Sequence, residues 1–383
     1  MNKDVIKVAG KKPGFFGKIA NSIAGIPIGI ILIIIGAGVL WNNEQNNVKN
    51  IKDVKELRNQ VIQVTSDKVD PSNEGKLIAT NGKLDFGESK LSDSLFGVSR
   101  VTPKLVRKVE MYQWKEEKST DDDNNTTYSY KTEWSSDVID SSNFYDTKKT
   151  NPTYMKYEGT TVVTENDIKV GEYNINTFKD SITADTKLNN LEDVKLPEGY
   201  KSEAGYITNA ENLSEPEVGN LRISFYFADY TDVSVLGKQY GSSIISYSTK
   251  TKHDIKMMQK GIKSGEELIT TKEKGDKVKK WVMRILGVLL IVTGVGMLIG
   301  PLTTLIGFIP FLGNVINAGI GVVSFIIGLA ISLVIIAVAW FVARPILSIC
   351  LIVVIVGLIV LLKIYAGKNK APVAAPTNTE EQK

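Results

Sequence analysis

The chain has one histidine, His253, and one cysteine, Cys350, in 383 residues. One cysteine allows no intramolecular disulfide, so cysteine usage is silent on redox compartment. One histidine removes most zinc sites and most nucleophile–histidine–carboxylate arrangements, and His253 reads as a surface residue. There is no Gly-x-Ser-x-Gly elbow, no His-Glu-x-x-His, no phosphate-binding loop and no dinucleotide glycine fingerprint. The expectation is a protein that is not an enzyme and carries no cofactor. The most decisive absence is of charge: between Arg284 and Arg344 there is no Asp, Glu, Lys, Arg or His. A soluble protein could not cover so much apolar surface, whereas a bilayer accepts it.

What is present fits that solvent. Residues 23–41 form a first uncharged run, nineteen residues that nearly cross a ~30 Å hydrocarbon core and end on Trp41. The run is too long for a signal-peptide core, and Val39-Leu40-Trp41-Asn42-Asn43 offers no small-residue cleavage site. Residues 281–300 make a second span, with Arg284 snorkelling to the headgroups and Pro301 ending the helix. Residues 301–318, which contain Pro310, Asn314 and Asn317, read as a connecting or re-entrant segment. Residues 319–343 and 345–365 are the third and fourth spans, with Trp340 and Arg344-Pro345 between them. A basic tail, 1–22, precedes the first span, and a compositionally disordered tail, 366–383, follows the last. Four crossings with lysines in both tails place both tails in the cytosol; the lysines at 272–280, which crowd the other face, are excused because long translocated domains escape the charge rule.

The 42–280 region is large enough for its own core. Val48, Ile51, Val54, Leu57 and Val61 recur at helical spacing just after the first span. The pattern then turns to strands. Tyr128, Tyr130, Thr132 and Trp134 alternate with polar residues, Val109 to Trp114 is a partner strand across a long acidic loop, and Leu221 to Phe227 alternates likewise, with Ser243 to Ser248 as its expected neighbour. From Ile255 to Trp281 a basic helix returns to the membrane. The fold class is therefore an α+β membrane protein: four transmembrane helices, one N-terminal and three C-terminal, around a large β-rich extramembrane domain.

Candidate sites are few. Tyr128, Tyr130 and Trp134, with Tyr112 and Trp114, form an aromatic stripe that suits either stacking on a ligand or burial on a sheet face. Asp121, Asp122 and Asp123 lack the spacing and glycine of a calcium loop and read as a solvated hairpin tip. Gly25 and Gly29, and Gly296 and Gly300, are spaced as Gly-x-x-x-Gly and are candidates for helix packing. The net charge of +4 gives no reason to expect nucleic acid, and the basic runs beside the spans suit lipid. Lipid bilayer, membrane proteins and a second copy of the chain are the expected partners. A channel or transporter subunit is the alternative to a scaffold, motivated by the glycine-rich spans and the broken segment around Pro310. A tethered lipid or glycan enzyme using the aromatic face is a third.

Several blocks, in order, resemble the LUMA family, also called transmembrane protein 43. They are Phe16 to Ile23 leading into the first span, Trp41-Asn42-Asn43-Glu44 closing it, Val109 to Trp114, Tyr128 to Trp134, Lys149-Thr150-Asn151-Pro152, Pro216 to Phe225, Ala339-Trp340-Phe341 and Arg344-Pro345. The resemblance implies four spans, tails in the cytosol or nucleoplasm, and a domain in the lumen of the endoplasmic reticulum or perinuclear space. It also implies a structural role in organising the inner nuclear membrane, with lamins and other envelope proteins as partners. In a bacterial host the same topology would put the domain outside the cytoplasmic membrane. No catalytic residues come with the family.

Overall fold

The computed structural model describes residues 4–10, 15–88, 90–121, 124–191, 194–306, 313–341 and 345–368. The expectations for Asp122, Asp123, Pro310, Arg344 and the tail beyond Lys368 lie outside the described residues. The chain divides into two compact units, Met1–Lys12 with Asp53–Lys272, and Pro13–Lys52 with Glu273–Lys383.

The helical unit contains most of four long helices: α1 (Phe15–Gln60), α2 (Gly265–Ile306), α3 (Gly313–Trp340) and α4 (Pro345–Lys368). Among the described residues three helices are long and apolar enough to cross a membrane, and Ile352–Leu361 of α4 is a shorter apolar stretch. Their outward faces stay greasy: Ile34, Leu289 and Val353 are all exposed. Such a surface is stable against hydrocarbon and not against water. The inward faces meet in a small core of Leu40, Ile291 and Val295.

Several boundaries differ from the sequence reading. Helix starts at Phe15, inside what reads as a tail, because nothing in residues 15–22 breaks it. The amphipathic stretch after the first span is no separate helix but the last turns of α1. Pro301 does not end α2, which continues to Ile306; proline removes one backbone hydrogen bond, and in an apolar setting the neighbouring turns hold the helix together. Residues 313–318, expected in a connector, already belong to α3, and α4 extends past 365 to Lys368.

The other unit is β-rich, as its alternating patterns imply. One sheet runs in the order Asp4–Val8, Thr126–Ser135, Lys104–Thr120, Leu221–Phe227, Tyr206–Thr208, Lys201–Glu203, all antiparallel. Its odd-numbered positions, among them Leu105, Val109, Met111, Leu221, Ile223 and Phe225, bury a core with Phe96. The second sheet closes into a ring, because Asp232–Tyr240 pairs with both Ser243–Ile245 and Leu77–Asp85. Ile78, Val170, Tyr173, Phe178, Val235 and Ile244 fill it. The last turns of α1 and the first of α2 pack on that ring through Val54, Leu57, Leu268 and Ile269. Ser264 and Glu267 cap α2 reciprocally, each side chain accepting from the other residue's backbone N–H at 3.2 and 2.7 Å.

Two strand expectations change. Ser243–Ile245 pairs not with Leu221–Phe227 but with Asp232–Tyr240, since a turn at Gly241, with φ of 56°, folds one strand directly back on the other. Asp4–Val8 is not part of a free tail: it lies along the outer edge of Thr126–Ser135, and the Gly10 N–H donates to Asn125 Oδ1 at 3.3 Å. Its short alternating sequence suits an edge strand.

Candidate functional site

In the β-rich unit the resembling blocks converge on the even-numbered face of the first sheet. Register sets Arg222 opposite Glu110 and Tyr112 opposite Trp134. Glu110 is buried and accepts from Arg222 Nε at 2.8 Å and from Lys108 Nζ at 2.9 Å. Burial alone would push the Glu110 carboxyl up; the two cations outweigh it and hold the group below its ordinary value. The Arg222 guanidinium lies 4.6 Å from the Trp134 ring and 5.1 Å from the Tyr206 ring, and the Tyr112 ring is 5.2 Å from Trp134. Lys187 caps the far side of Tyr206 at 3.3 Å. The result is a ladder of alternating cations and rings across several strands, each contact worth about 0.5–2 kcal/mol. Ser224 Oγ, buried beside it, has no hydrogen-bond partner among the described residues.

The stripe of Tyr128, Tyr130 and Trp134 is one face, as its alternation implies, but the chain itself roofs it. Tyr130 is 1% exposed. Its hydroxyl donates to Glu116 at 2.6 Å and accepts the Asp146 N–H at 2.8 Å, and Glu116 also takes the Tyr145 N–H at 2.7 Å. Burial, then the Glu116 carboxylate, raise the Tyr130 phenol to about 12. Tyr145 stacks on Tyr128 at 4.4 Å, and Trp134 lies under Arg222. Asn151, from another of the resembling blocks, accepts the Trp114 N–H at 2.7 Å and donates to the Trp114 carbonyl at 2.8 Å. Tyr130 is thus buried, while Tyr128, stacked under Tyr145, and Trp134, under Arg222, stay partly exposed.

His253 is less of a surface residue than its sequence suggests. Its Nδ1 lies 2.6 Å from Asp53, a fully buried carboxylate that also accepts from Thr251 Oγ1 at 2.6 Å. Two hundred positions separate the pair, so no local pattern announces it. Among the described residues no group of three or more His, Cys, Asp or Glu is placed to hold a metal ion.

In the helical unit a second polar centre joins three helices. Glu44 on α1 is 0% exposed; Arg284 on α2 grips it with two parallel bonds, Nε to Oε1 at 2.6 Å and Nη2 to Oε2 at 2.7 Å. Trp340 on α3 donates its indole N–H to the same carboxylate. Asn43 bridges from Glu44 to the Lys280 carbonyl at 3.3 Å, and Val48, Ile336 and Ala339 enclose the cluster. Arg284 does not snorkel: its side chain is 17% exposed and turned inward. An unpaired arginine deep in a span costs about 2.5–3.5 kcal/mol, which a bidentate carboxylate offsets. In the sequence Glu44 stands three residues past one span and Arg284 three residues into another, and their meeting depends on the offset of the two helices, which no local spacing encodes.

Of the glycines expected at helix contacts, Gly29 sits in a close one, joined by Gly36, Gly287 and Gly294. A Cβ on Gly29 would sit 2.7 Å from the Gly294 carbonyl oxygen, and one on Gly36 2.9 Å from that of Gly287. Gly25 has ordinary contact with Met297 at 3.9 Å, while a Cβ on Gly296 or Gly300 meets nothing within 4 Å among the described residues. The motif in use is glycine every seventh residue, 29 and 36 against 287 and 294, which follows the two-turn repeat of left-handed helix crossing.

A family profile described as Transmembrane protein 43 matches residues 111–345. The chain is similar to Transmembrane protein 43 of Rattus norvegicus, 27% identical with 97% of this chain and 96% of the relative covered, and to that of Homo sapiens, 27% identical with 94% of each covered. It is also similar to the Transmembrane protein 43 homolog of Drosophila melanogaster, 28% identical over 85% of this chain and 90% of the relative. No solved structure matches it. With a membrane-spanning helical unit, a large β-rich unit and a profile match over more than half its length, the chain belongs to the transmembrane protein 43, or LUMA, family.

Proposed function

We propose that this chain is a non-enzymatic multi-pass membrane protein that acts as a structural scaffold, organising a membrane and its proteins through the β-rich unit. The observation that carries the reading is what its polar side chains do. Glu110, Arg222 and Lys108 satisfy one another, as do Glu44, Arg284 and Trp340. Paired in this way they stiffen the units, where a catalytic site would aim such groups at a substrate. The proposed topology has four spans with both tails in the cytosol. The proposed location is the endoplasmic reticulum and inner nuclear membrane in a eukaryotic host, where lamina-associated proteins are the partners, and the cytoplasmic membrane in a bacterial one.

The test is mild crosslinking in intact membranes followed by purification of the tagged chain. Stable protein partners or defined self-assemblies are expected. Recovery of monomer alone under several crosslinker lengths overturns the scaffold reading.

A further inference from the structure

The helical unit carries exposed lysines that neither polar centre uses and two exposed tryptophans, of which Trp281 also lies 5.1 Å from the Arg284 guanidinium. α1 and α2 run antiparallel, and their offset is fixed by Leu40 against Gly287 and Glu44 against Arg284. By that offset Trp41 and Trp281, 46% and 57% exposed, lie about five residues, ~8 Å, apart along the pair, with Trp281 the farther from the middle of the spans. Such tryptophans settle at the membrane–water boundary. Toward the C-terminal end of α1, Lys49 and Lys52 are exposed; toward the N-terminal end of α2, so are Lys274, Lys277 and Lys279. The same offset brings Lys49 level with Lys277 and Lys52 level with Lys274.

On each helix tryptophan and lysine share a face, Trp41 with Lys52 eleven residues on and Trp281 with Lys277 and Lys274 four and seven residues back. At ~1.5 Å per residue Lys279 and Lys277 stand ~3–6 Å beyond the Trp281 level, with Lys49 beside Lys277, and Lys274 with Lys52 stands ~10 Å beyond it, within reach of headgroups for a flexible lysine. With Lys280, six lysines stand against Glu273, Asp276 and the buried Asp53 in this zone, and the deeper Arg284 is already neutralised by Glu44. Lys277 pairs with Glu273 at 2.6 Å yet keeps its side chain 62% exposed.

We propose that this collar of Lys49, Lys52, Lys274, Lys277 and Lys279, registered by Trp41 and Trp281, binds the headgroups of anionic phospholipids in the adjoining leaflet. The tryptophans favour lipid over an acidic protein, because they hold the lysines at headgroup height.

The experiment reconstitutes the full chain in phosphatidylcholine vesicles with a minority of phosphatidylglycerol, and compares spin-labelled forms of the two lipids in the protein's boundary shell by electron paramagnetic resonance. Phosphatidylglycerol should be preferred by about threefold or more at low salt, with the preference shrinking as salt rises. The combined change Lys49→Gln, Lys274→Gln, Lys277→Gln and Lys279→Gln should bring the ratio close to one. Lys363→Gln with Lys368→Gln, beyond the other end of the spans, should leave it unchanged, and inorganic phosphate should act only through ionic strength. The proposal is overturned by a wild-type ratio near one, by a preference that survives the fourfold change, or by competition from phosphate at constant ionic strength. The salt series on the unaltered protein decides the matter even if the fourfold variant misfolds.

Discussion

Glu44 and Arg284, 240 positions apart in sequence, share a two-bond ion pair inside the helical unit, with the Trp340 indole closing the third side. Removing one partner strands a buried charge, at a cost of about 3–5 kcal/mol. Glu44→Leu or Arg284→Leu alone should lower the melting temperature in detergent sharply. Glu44→Leu combined with Arg284→Leu should lose less than the two single losses added together, since no lone charge remains. A double-mutant cycle by thermal denaturation reads the coupling directly, and strict additivity would rule the pair out as a unit.

The glycine contacts predict an asymmetry among four similar-looking positions. Gly29→Leu and Gly294→Leu force carbonyl contacts apart and should each destabilise the helical unit by about 1–3 kcal/mol. Gly296→Leu and Gly300→Leu meet open space and should be tolerated. Equal effects at all four, measured as thermal stability in one detergent, would contradict the crossing.

Acid should weaken the β-rich unit through Glu110. Its folded carboxyl is held below its ordinary value, so the folded state binds its proton less readily than the unfolded one. The stabilisation is present above that value and is lost as pH falls through the lower folded one. Glu110→Gln should flatten this part of a denaturation profile measured between neutral pH and pH ~3. Tyr130 works in the opposite sense: with its phenol at about 12, its share is full below about 10 and is lost as pH rises toward 12. Tyr130→Phe should remove that alkaline loss.

Two features of the N-terminal segment compete. A bilayer-spanning α1 carries Asp4–Val8 to the opposite side from Thr126–Ser135, with which that strand pairs. The strand offers five cross-strand pairs at about 0.2–1 kcal/mol each, against ordering five terminal residues at about 1–2 kcal/mol apiece. The span offers eleven Ile, Leu or Val residues between Ile23 and Trp41 at about 0.3–0.6 kcal/mol each, with no such offset once the helix exists. Insertion wins. Tags before Asp4 and in the Asp121–Asn125 turn should show opposite protease protection on sealed vesicles; protection on the same side would mean that the strand stays paired and α1 does not cross.

How much of this was legible depended on the range of the forces involved. Spans, alternating strands and the hairpin of Val109–Trp114 with Tyr128–Trp134 are local patterns, and all three stand. Helix ends were misjudged because propensity alone places a stop at Pro301, which an apolar setting overrides. The Arg222–Trp134–Tyr206 ladder and the Asp53–His253 pair depend on which strands and helices become neighbours, and no spacing within one element encodes that. Of the glycine seam a four-residue spacing marks only Gly29, because Gly36, Gly287 and Gly294 recur at an interval of seven.

Asn151 holds one residue of a strand the way a neighbouring strand would, taking the Trp114 N–H and giving to its carbonyl. A side-chain amide so placed ends the ladder without inviting another chain to extend it. Replacing it with leucine would leave a donor and an acceptor unanswered on an extended hairpin, and the foreseeable defect is sticky, edge-to-edge aggregation while the interior stays sound.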